Sequence, residues 1–292
     1  MRLIVTNDDG IEADGLHVLA AALVDAGHDV VVVAPSANFS GAGASLGHIT
    51  GAGDISTTRV ELPGRPAIDA WSVDGPPGLC ALATCMGAFG PAPDLVVSGI
   101  NAGLNTGRAV LHSGTVGAAL TAQNFGRSGL AVSAETPADG EPWAWDAAAD
   151  LAVNAVDTLA EAPARTVLNL NVPARDRADI RGLRWARLAP FGEVQTTAAT
   201  VADDRLQFTF TSTGALRDLG TDQGLVAAGY ATLTALAGLA EAWPSEHPVP
   251  DEAADVVEVM SPGAPCPAVH AIPDTGPFRS LHHDAHPRPA DD

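Results

Sequence analysis

Apolar positions along this chain fall into two periods, and the switches between them outline the elements. Leu3-Ile4-Val5 is a continuous apolar run within residues 2–6, followed at once by Asn7-Asp8-Asp9-Gly10. Over residues 14–26, Leu16, Leu19, Ala20 and Leu23 recur at helical spacing, and Gly27 supplies a C-terminal stop. Asp29 to Ala34 is β-branched and ends at Pro35. Continuous apolar strands joined through a helix predict a parallel sheet covered on both faces.

The same alternation continues. Strands are predicted over 68–73, 94–98, 130–133 and 167–172, and helices over 78–89, 113–123 and 147–161. Residues 36–53 are small, polar and glycine-rich, which predicts a long loop. From about residue 180 the pattern changes. Residues 206–211 and 229–236 alternate with period two, as hairpin or antiparallel strands added to the parallel core. Ten of the 22 prolines fall in residues 244–292, so this stretch reads as an irregular extension with a disordered tail. The expected division is a domain over 1–243, with its β-rich portion at about 180–235, and an extension over 244–292.

Composition narrows the function. The chain has 292 residues, 46% hydrophobic and 17% charged, which is globular composition for one large domain or two small ones. Its net charge is −20, which argues against nucleic acid or anionic membrane as a partner. All 15 cationic side chains are arginines, so lysine-dependent chemistry, from a Walker A loop to a Schiff base, is excluded. Cys80, Cys85 and Cys266 form no C-x-x-C pair. No signal peptide or membrane span is evident, so a soluble, cytoplasmic protein is expected.

In a parallel sheet, ligands collect at the carboxyl ends of the strands. Asn7-Asp8-Asp9, Ser40 in the glycine-rich loop, and Asn101 all fall just past strand ends. Their oxygens are hard donors suited to magnesium, manganese or calcium. A plainer reading of Asp8-Asp9 is a solvated turn in which Asp9 caps the next helix. Ser113-Gly114-Thr115 opens a helix with small residues, which suits a phosphate, though it also suits a plain N-cap. Together a metal site and a helix-end anion site argue for a phosphorylated substrate.

Other signals carry less. Gly43-Ala44-Ser45-Leu46-Gly47 fits G-x-S-x-G but lies in a loop, without the strand and helix a nucleophile elbow needs. No dinucleotide fingerprint follows the first strand. His282, His283 and His286 would bind metal only adventitiously, and His112 is poorly placed to activate its neighbour Ser113. Trp143 and Trp145 are expected to pack at the start of the 147–161 helix.

The chain resembles the survival protein SurE family of metal-dependent 5′/3′-nucleotidases. The matching stretches are NDDG at 7–10, SG at 40–41, VVSGINAG at 96–103 with Asn105, SGTVGAAL at 113–120, LNLNVP at 168–173, GTD at 220–222 and GY at 229–230. The resemblance implies an α/β fold, a Rossmann-like and mostly parallel sheet with helices on both faces. A smaller, hairpin-containing β-rich portion would exchange between subunits of a homodimer or homotetramer. It implies one divalent cation per subunit, Mg2+ or Mn2+ (Ca2+ in crystals), held by Asp8, Asp9, Ser40 and Asn101. Asp8 and Asp9 would be catalytic. Asn7, Gly41, Asn105, Ser113, Gly114 and Thr115 would line the phosphate pocket. The implied reaction is hydrolysis of nucleoside monophosphates by a water activated by the cation or by Asp8. Leu79 stands where the family usually has an aspartate, His112 replaces a usual tyrosine, and Phe39 replaces a basic or polar residue. These departures leave two alternatives, a nucleotide-binding sensor without hydrolysis and a broader phosphatase or exopolyphosphatase.

Overall fold

The computed structural model describes residues 1–47, 54–190, 194–202, 205–212 and 218–239; residues 194–202 and 205–212 are described by backbone alone. Met1–Gly238 form one compact unit, and of the remainder only Leu239 is described. The expected extension over 244–292, Cys266 and the histidines of its tail therefore lie outside the described residues.

In chain order the elements are β1 (Arg2–Thr6), α1 (Asp14–Asp25), β2 (Asp29–Pro35), β3 (Thr57–Val60), β4 (Asp69–Val73), α2 (Pro77–Cys85) and β5 (Leu95–Ala102). A 3-10 helix (Gly107–His112) then leads into α3 (Gly114–Asn124), β6 (Ser128–Ala134), α4 (Trp145–Glu161) and β7 (Val167–Val172). The last elements are β8 (Leu183–Trp185), β9 (Val194–Ala202), β10 (Arg205–Ser212), α5 (Asp222–Ala227) and β11 (Ala231–Leu236).

Nine strands form one sheet in the order β3-β4-β2-β1-β5-β6-β7-β11-β8. The six from β4 to β7 run parallel to one another. Each is joined through a helix or a long crossover, which is what the apolar runs predict. The direction of strand order reverses at β1. From β1 the chain steps outward to β2 and β4, then returns to place β5 on the other side. The crevice between β1 and β5 is thus the switch point at which such sheets bind ligands.

Alternate residues of the central strands feed two cores. Leu3, Val5, Val30 and Val32 pack with Leu16, Leu19 and Leu23 of α1 and with Ala148, Ala152 and Val156 of α4. Ile4, Val31, Val33 and Val96 pack on the opposite face with Cys80 and Ala81 of α2 and with Ala118 and Ala122 of α3. Burying each of those three α1 leucines, all 0% exposed, contributes about 1.5–3 kcal/mol. The chain has few aromatics and many alanines, so the helices can approach the sheet closely. Trp143 and Trp145 stack on each other, centroids 4.5 Å apart, and pack against the first core as expected.

Several expectations need correction. The 78–89 helix is shorter, ending at Cys85, and β5 runs on past Ser98 to Ala102. β3, β8, β9, α5 and the 3-10 helix are elements that the apolar periods do not predict. The two alternating strands do form hairpin and antiparallel strands: 206–211 lies in the β9–β10 hairpin, which is a sheet of its own rather than an addition to the core, and 229–236 becomes β11, antiparallel to β7 inside the main sheet. Cys80 and Cys85 are free thiols, and burial pushes the Cys80 thiol up to about 12, so it is inert at neutral pH.

Candidate active site

The turn after β1 is held by its own side chain. The Asn7 amide donates to Gly10 O at 2.9 Å, and the Gly10 N–H donates to Asn7 Oδ1 at 3.2 Å. This closes the turn and sends Asp8 and Asp9 outward from the strand end. Asp9 does not cap α1: the N-cap is Ala13, without a side-chain bond. The solvated-turn reading fails as well, because Asp8 is only 3% exposed.

Asp8 is lodged against the start of α3. Its Oδ1 accepts from the Thr115 hydroxyl at 2.5 Å. A Cβ on Gly114 would lie 2.7 Å from Asp8 Cβ and 2.8 Å from Oδ2, so only glycine admits this contact. Ser113 is the N-cap and accepts from Val116 N–H at 3.1 Å. The Gly114 and Thr115 N–H groups are then the free donors of the helix end, beside the carboxylate. The acidic pair and the start of α3 therefore lie next to each other.

Asp9 occupies the other side of the turn. Its Oδ2 accepts from Ala102 N–H at 3.3 Å and its Oδ1 from the Asn38 amide at 3.3 Å. Burial pushes the Asp9 carboxyl above its usual range; the Ala102 bond opposes this, the charge on Asp8 adds to it, and the Asn38 bond opposes it. Among the described residues no cationic side chain pairs with either carboxylate, since the ion pairs are Arg2–Asp29, Arg59–Asp69 and Arg65–Asp25.

Asn101 reaches the site through an irregularity in β5. Ser98 pairs with Ala131 and Asn101 with Ser133, three steps against two, so one extra residue is inserted and the side chain is re-aimed. Its amide nitrogen donates to Gly103 O at 2.7 Å, which leaves Oδ1 uncommitted. Ser40 is exposed in the 36–47 loop, and its N–H donates to Asn38 Oδ1 at 2.8 Å. Asn38 therefore ties Ser40 to Asp9. Gly41 follows Ser40 in this loop with φ +84°.

The loop is clamped at both ends. Phe39 N–H donates to Asp8 O at 2.7 Å, and Gly43 N–H donates to His112 O at 3.1 Å. A Cβ on Gly117 of α3 would overlap Gly43 O. Gly117→Ala is therefore expected to destabilise the fold by about 1–3 kcal/mol and to weaken divalent-cation binding, because the Ser40 loop must lift off α3. Urea denaturation and a manganese titration check both effects.

Asn105 braces the site from within. Its amide donates to Ser133 Oγ at 2.9 Å and to Thr115 Oγ1 at 3.5 Å. Asn169 and Asn171 both donate to Asn105 O, at 2.8 and 2.9 Å, and Asn171 Oδ1 accepts from Asn105 N–H at 2.9 Å. Both amide hydrogens of Asn105 are spent on the protein. In this structure it orients Thr115 rather than offering a donor to solvent.

Asp8, Asp9, Ser40, Asn101, Ser113, Gly114 and Thr115 are thus gathered at the β1/β5 switch point. Sequence reasoning misses Asn38, Ser133, Asn169 and Asn171. The departures sit as follows. Leu79 is 5% exposed and belongs to the second core. His112 is exposed at the end of the 3-10 helix, and the Ser113 hydroxyl accepts from Val116 N–H as the N-cap of α3. Ser45 of the G-x-S-x-G match spends its hydroxyl on Gly47 N–H at 3.0 Å, inside the loop.

A divalent cation fits this donor set. Two adjacent carboxylates, at least one of them buried, lack a cationic partner among the described residues, and the flanking donors are amide and hydroxyl oxygens. Among the described residues no cluster of three His, Cys, Asp or Glu exists, so a zinc-type site has no candidate there. No helix of the described residues is long and apolar enough to cross a membrane.

Comparison with known proteins bears on the same stretch. The family model for survival protein SurE matches residues 3–192. A protein of Xanthomonas campestris named 5′-nucleotidase SurE is 40% identical over 190 residues, 64% of this chain and 70% of its own length. Proteins of the same name from a Nostoc species and from Chloroflexus aggregans are 38% and 41% identical, over 69% and 72% of their lengths. A crystal structure of the SurE protein from Aquifex aeolicus superposes with a TM-score of 0.67 at 28% identity, covering 81% of this chain and 93% of that one.

Proposed function

This chain belongs to the survival protein SurE family, and we propose that it is a 5′-nucleotidase that hydrolyses nucleoside monophosphates to nucleoside and phosphate with one divalent cation. The observation that carries the reading is the Asp8–Asp9 pair, without a cationic partner among the described residues, set against the open N-terminus of α3. A cation on one side and N–H groups on the other make a seat for a phosphate dianion.

Asp8, Asp9, Asn101 and Ser40 are the proposed ligands. When bound, the cation supplies charge neutralisation at a phosphate oxygen and at water. The remaining work falls to the chain. Gly114 and Thr115 N–H groups face the charge that builds on the non-bridging oxygens, and the α3 dipole adds to them. Thr115 holds Asp8 Oδ1, so Oδ2 is the oxygen left to take a proton from the attacking water. Water oxygen bonds to phosphorus as the bond to the nucleoside oxygen breaks, the water's proton passing to Asp8 and the leaving oxygen taking its proton from solvent. Asn105, through Thr115 and Ser133, keeps that carboxylate oriented. The β9–β10 hairpin is the segment proposed to exchange between subunits of a homo-oligomer.

Phosphate release from AMP in manganese or magnesium tests this. Activity is expected with either ion and is expected to disappear in excess chelator, returning on re-addition. Thermal stabilisation by nucleotide with no phosphate released under any divalent ion would instead make the chain a sensor. Faster release from polyphosphate or sugar phosphates would make it a broader phosphatase.

A further inference from the structure

Among the described residues, one further fully buried carboxylate is left unused by the proposed chemistry. Asp222, the first residue of α5, is 0% exposed. It has no arginine partner among the described residues. Instead it collects three backbone donors from three stretches of chain. Oδ2 accepts from Gly107 N–H at 2.8 Å, and Oδ1 accepts from Ala189 N–H and Gln223 N–H at 2.9 and 2.8 Å. Its own N–H donates to Arg187 O at 2.9 Å.

The division of labour between the two oxygens is what matters. Oδ1 serves its own helix and the stretch at Ala189. Oδ2 serves Gly107 alone. Gly107 starts the 3-10 helix that joins Asn105 to Ser113. Both ends of that segment are in the site: Asn105 braces Thr115, and Ser113 caps α3. Between them, Asp222 supplies an anchor from 115 residues away. An anionic carboxylate accepting backbone N–H bonds is a strong tie, roughly twice a neutral one. A residue needed only to start α5 would not require Oδ2 at all, because Thr221 already caps that helix by accepting from Gly224 N–H.

We infer that Asp222 is a positioning residue for the phosphate site: its Oδ2 bond to Gly107 N–H fixes the 105–113 segment, and through it the Asn105–Thr115–Asp8 arrangement. The inference rests on the nucleotidase reading of that site. It goes beyond that reading by naming a residue outside the ligand and phosphate set.

Asp222→Asn tests it with little change of shape. The asparagine keeps one acceptor and gains a donor. Its oxygen is best spent on the pair Ala189 and Gln223, which puts the new NH2 against Gly107 N–H, donor facing donor. The variant should release the site segment while keeping α5 anchored. The expected result is a fall in kcat of about 10–100-fold, as for a displacement of order 1 Å at a reacting centre, with KM changed less than about threefold. Amide exchange at Gly107 should rise at least about tenfold, while exchange at Ala189 stays as in the parent. A purely structural role would lower the melting temperature and leave kcat alone. A kcat within twofold of the parent overturns the inference whatever the melting temperature. Should the parent release no phosphate, the nucleotidase reading falls, and the exchange contrast between Gly107 and Ala189 still decides the anchoring. Should the variant not purify folded, exchange in the parent decides: protection of Gly107 equal to that of sheet amides supports the anchor, and loop-like exchange removes it.

Discussion

Asp8→Asn is expected to lower kcat for phosphate release by about 100–1000-fold, within the range that a positioned general base contributes. The same change is expected to leave the cation-free protein equally or more stable. The two effects have one cause. Asp8 is 3% exposed beside Asp9, whose carboxyl is already pushed up by burial and by the neighbouring charge. Removing one of two adjacent charges relieves that repulsion. The asparagine oxygen can still accept from Thr115, so the packing against α3 survives. What is lost is the negative charge that a divalent cation needs and the proton acceptor that faces it. Activity in manganese and thermal denaturation in chelator should therefore move in opposite or independent directions. A variant that turns over within threefold of the parent would remove Asp8 from the mechanism.

Gly114→Ala is expected to cost about 100-fold in activity, through position alone. The added methyl would lie 2.7 Å from Asp8 Cβ and 2.8 Å from Oδ2, both inside contact distance. One side must move. The start of α3 has little room to do so, because Gly117, one turn further on, already touches Gly43. Asp8 is the side that yields, and it takes with it the hydroxyl bond from Thr115. Stability should fall by about 1–3 kcal/mol, as for other overpacked positions. A urea titration measures the stability, and a manganese titration should show weaker binding. Normal manganese affinity together with normal turnover would show that Asp8 tolerates the shift, and that close packing against α3 is not what sets its position.

Most of the central sheet and its helices are legible in the order of apolar and polar residues. β1, β2, β4, β7 and α1, α3, α4 follow directly from apolar period, because a parallel sheet buried on both faces leaves strands such as Leu3-Ile4-Val5 no polar residue to spare. The short edge strands β3 and β8 carry no such mark. Thr57–Val60 is mostly exposed, and Leu183–Trp185 is three residues long, so neither has a face to reveal. The end of β5 is hidden because the apolar run stops at Ser98, whereas an inserted residue lets the strand continue.

In the site, Asp8, Asp9, Asn101 and Ser113-Gly114-Thr115 announce themselves by lying past strand ends or at a helix start. Asn169 and Asn171 carry a signal too, one that a search for strand ends overlooks. They alternate with Leu168, Leu170 and Val172 in a strand that is buried throughout. Polar residues at period two inside such a strand mean that one face meets something other than oil, here the backbone of Asn105. Ser133 and Asp222 have no comparable local mark. Their partners lie 28 and 115 residues away and come within reach only when the sheet assembles.

The run of bonds from Asp8 through Thr115 and Asn105 to Ser133 and Asn171 links the ends of four neighbouring strands, β1, β5, β6 and β7. Residues so joined do not contribute independently, and their substitutions do not add. A second change along the run costs little once the first has broken it, and a repair at one position works only if its neighbours are unchanged. Epistasis is therefore built into this side of the site. Descendants of this chain will tend to keep Thr115, Asn105, Ser133 and Asn171 as a block or exchange them as a block, while Ser40 and Asn101, each held by a single local bond, lie outside that block and join the rest only through the cation they are proposed to hold.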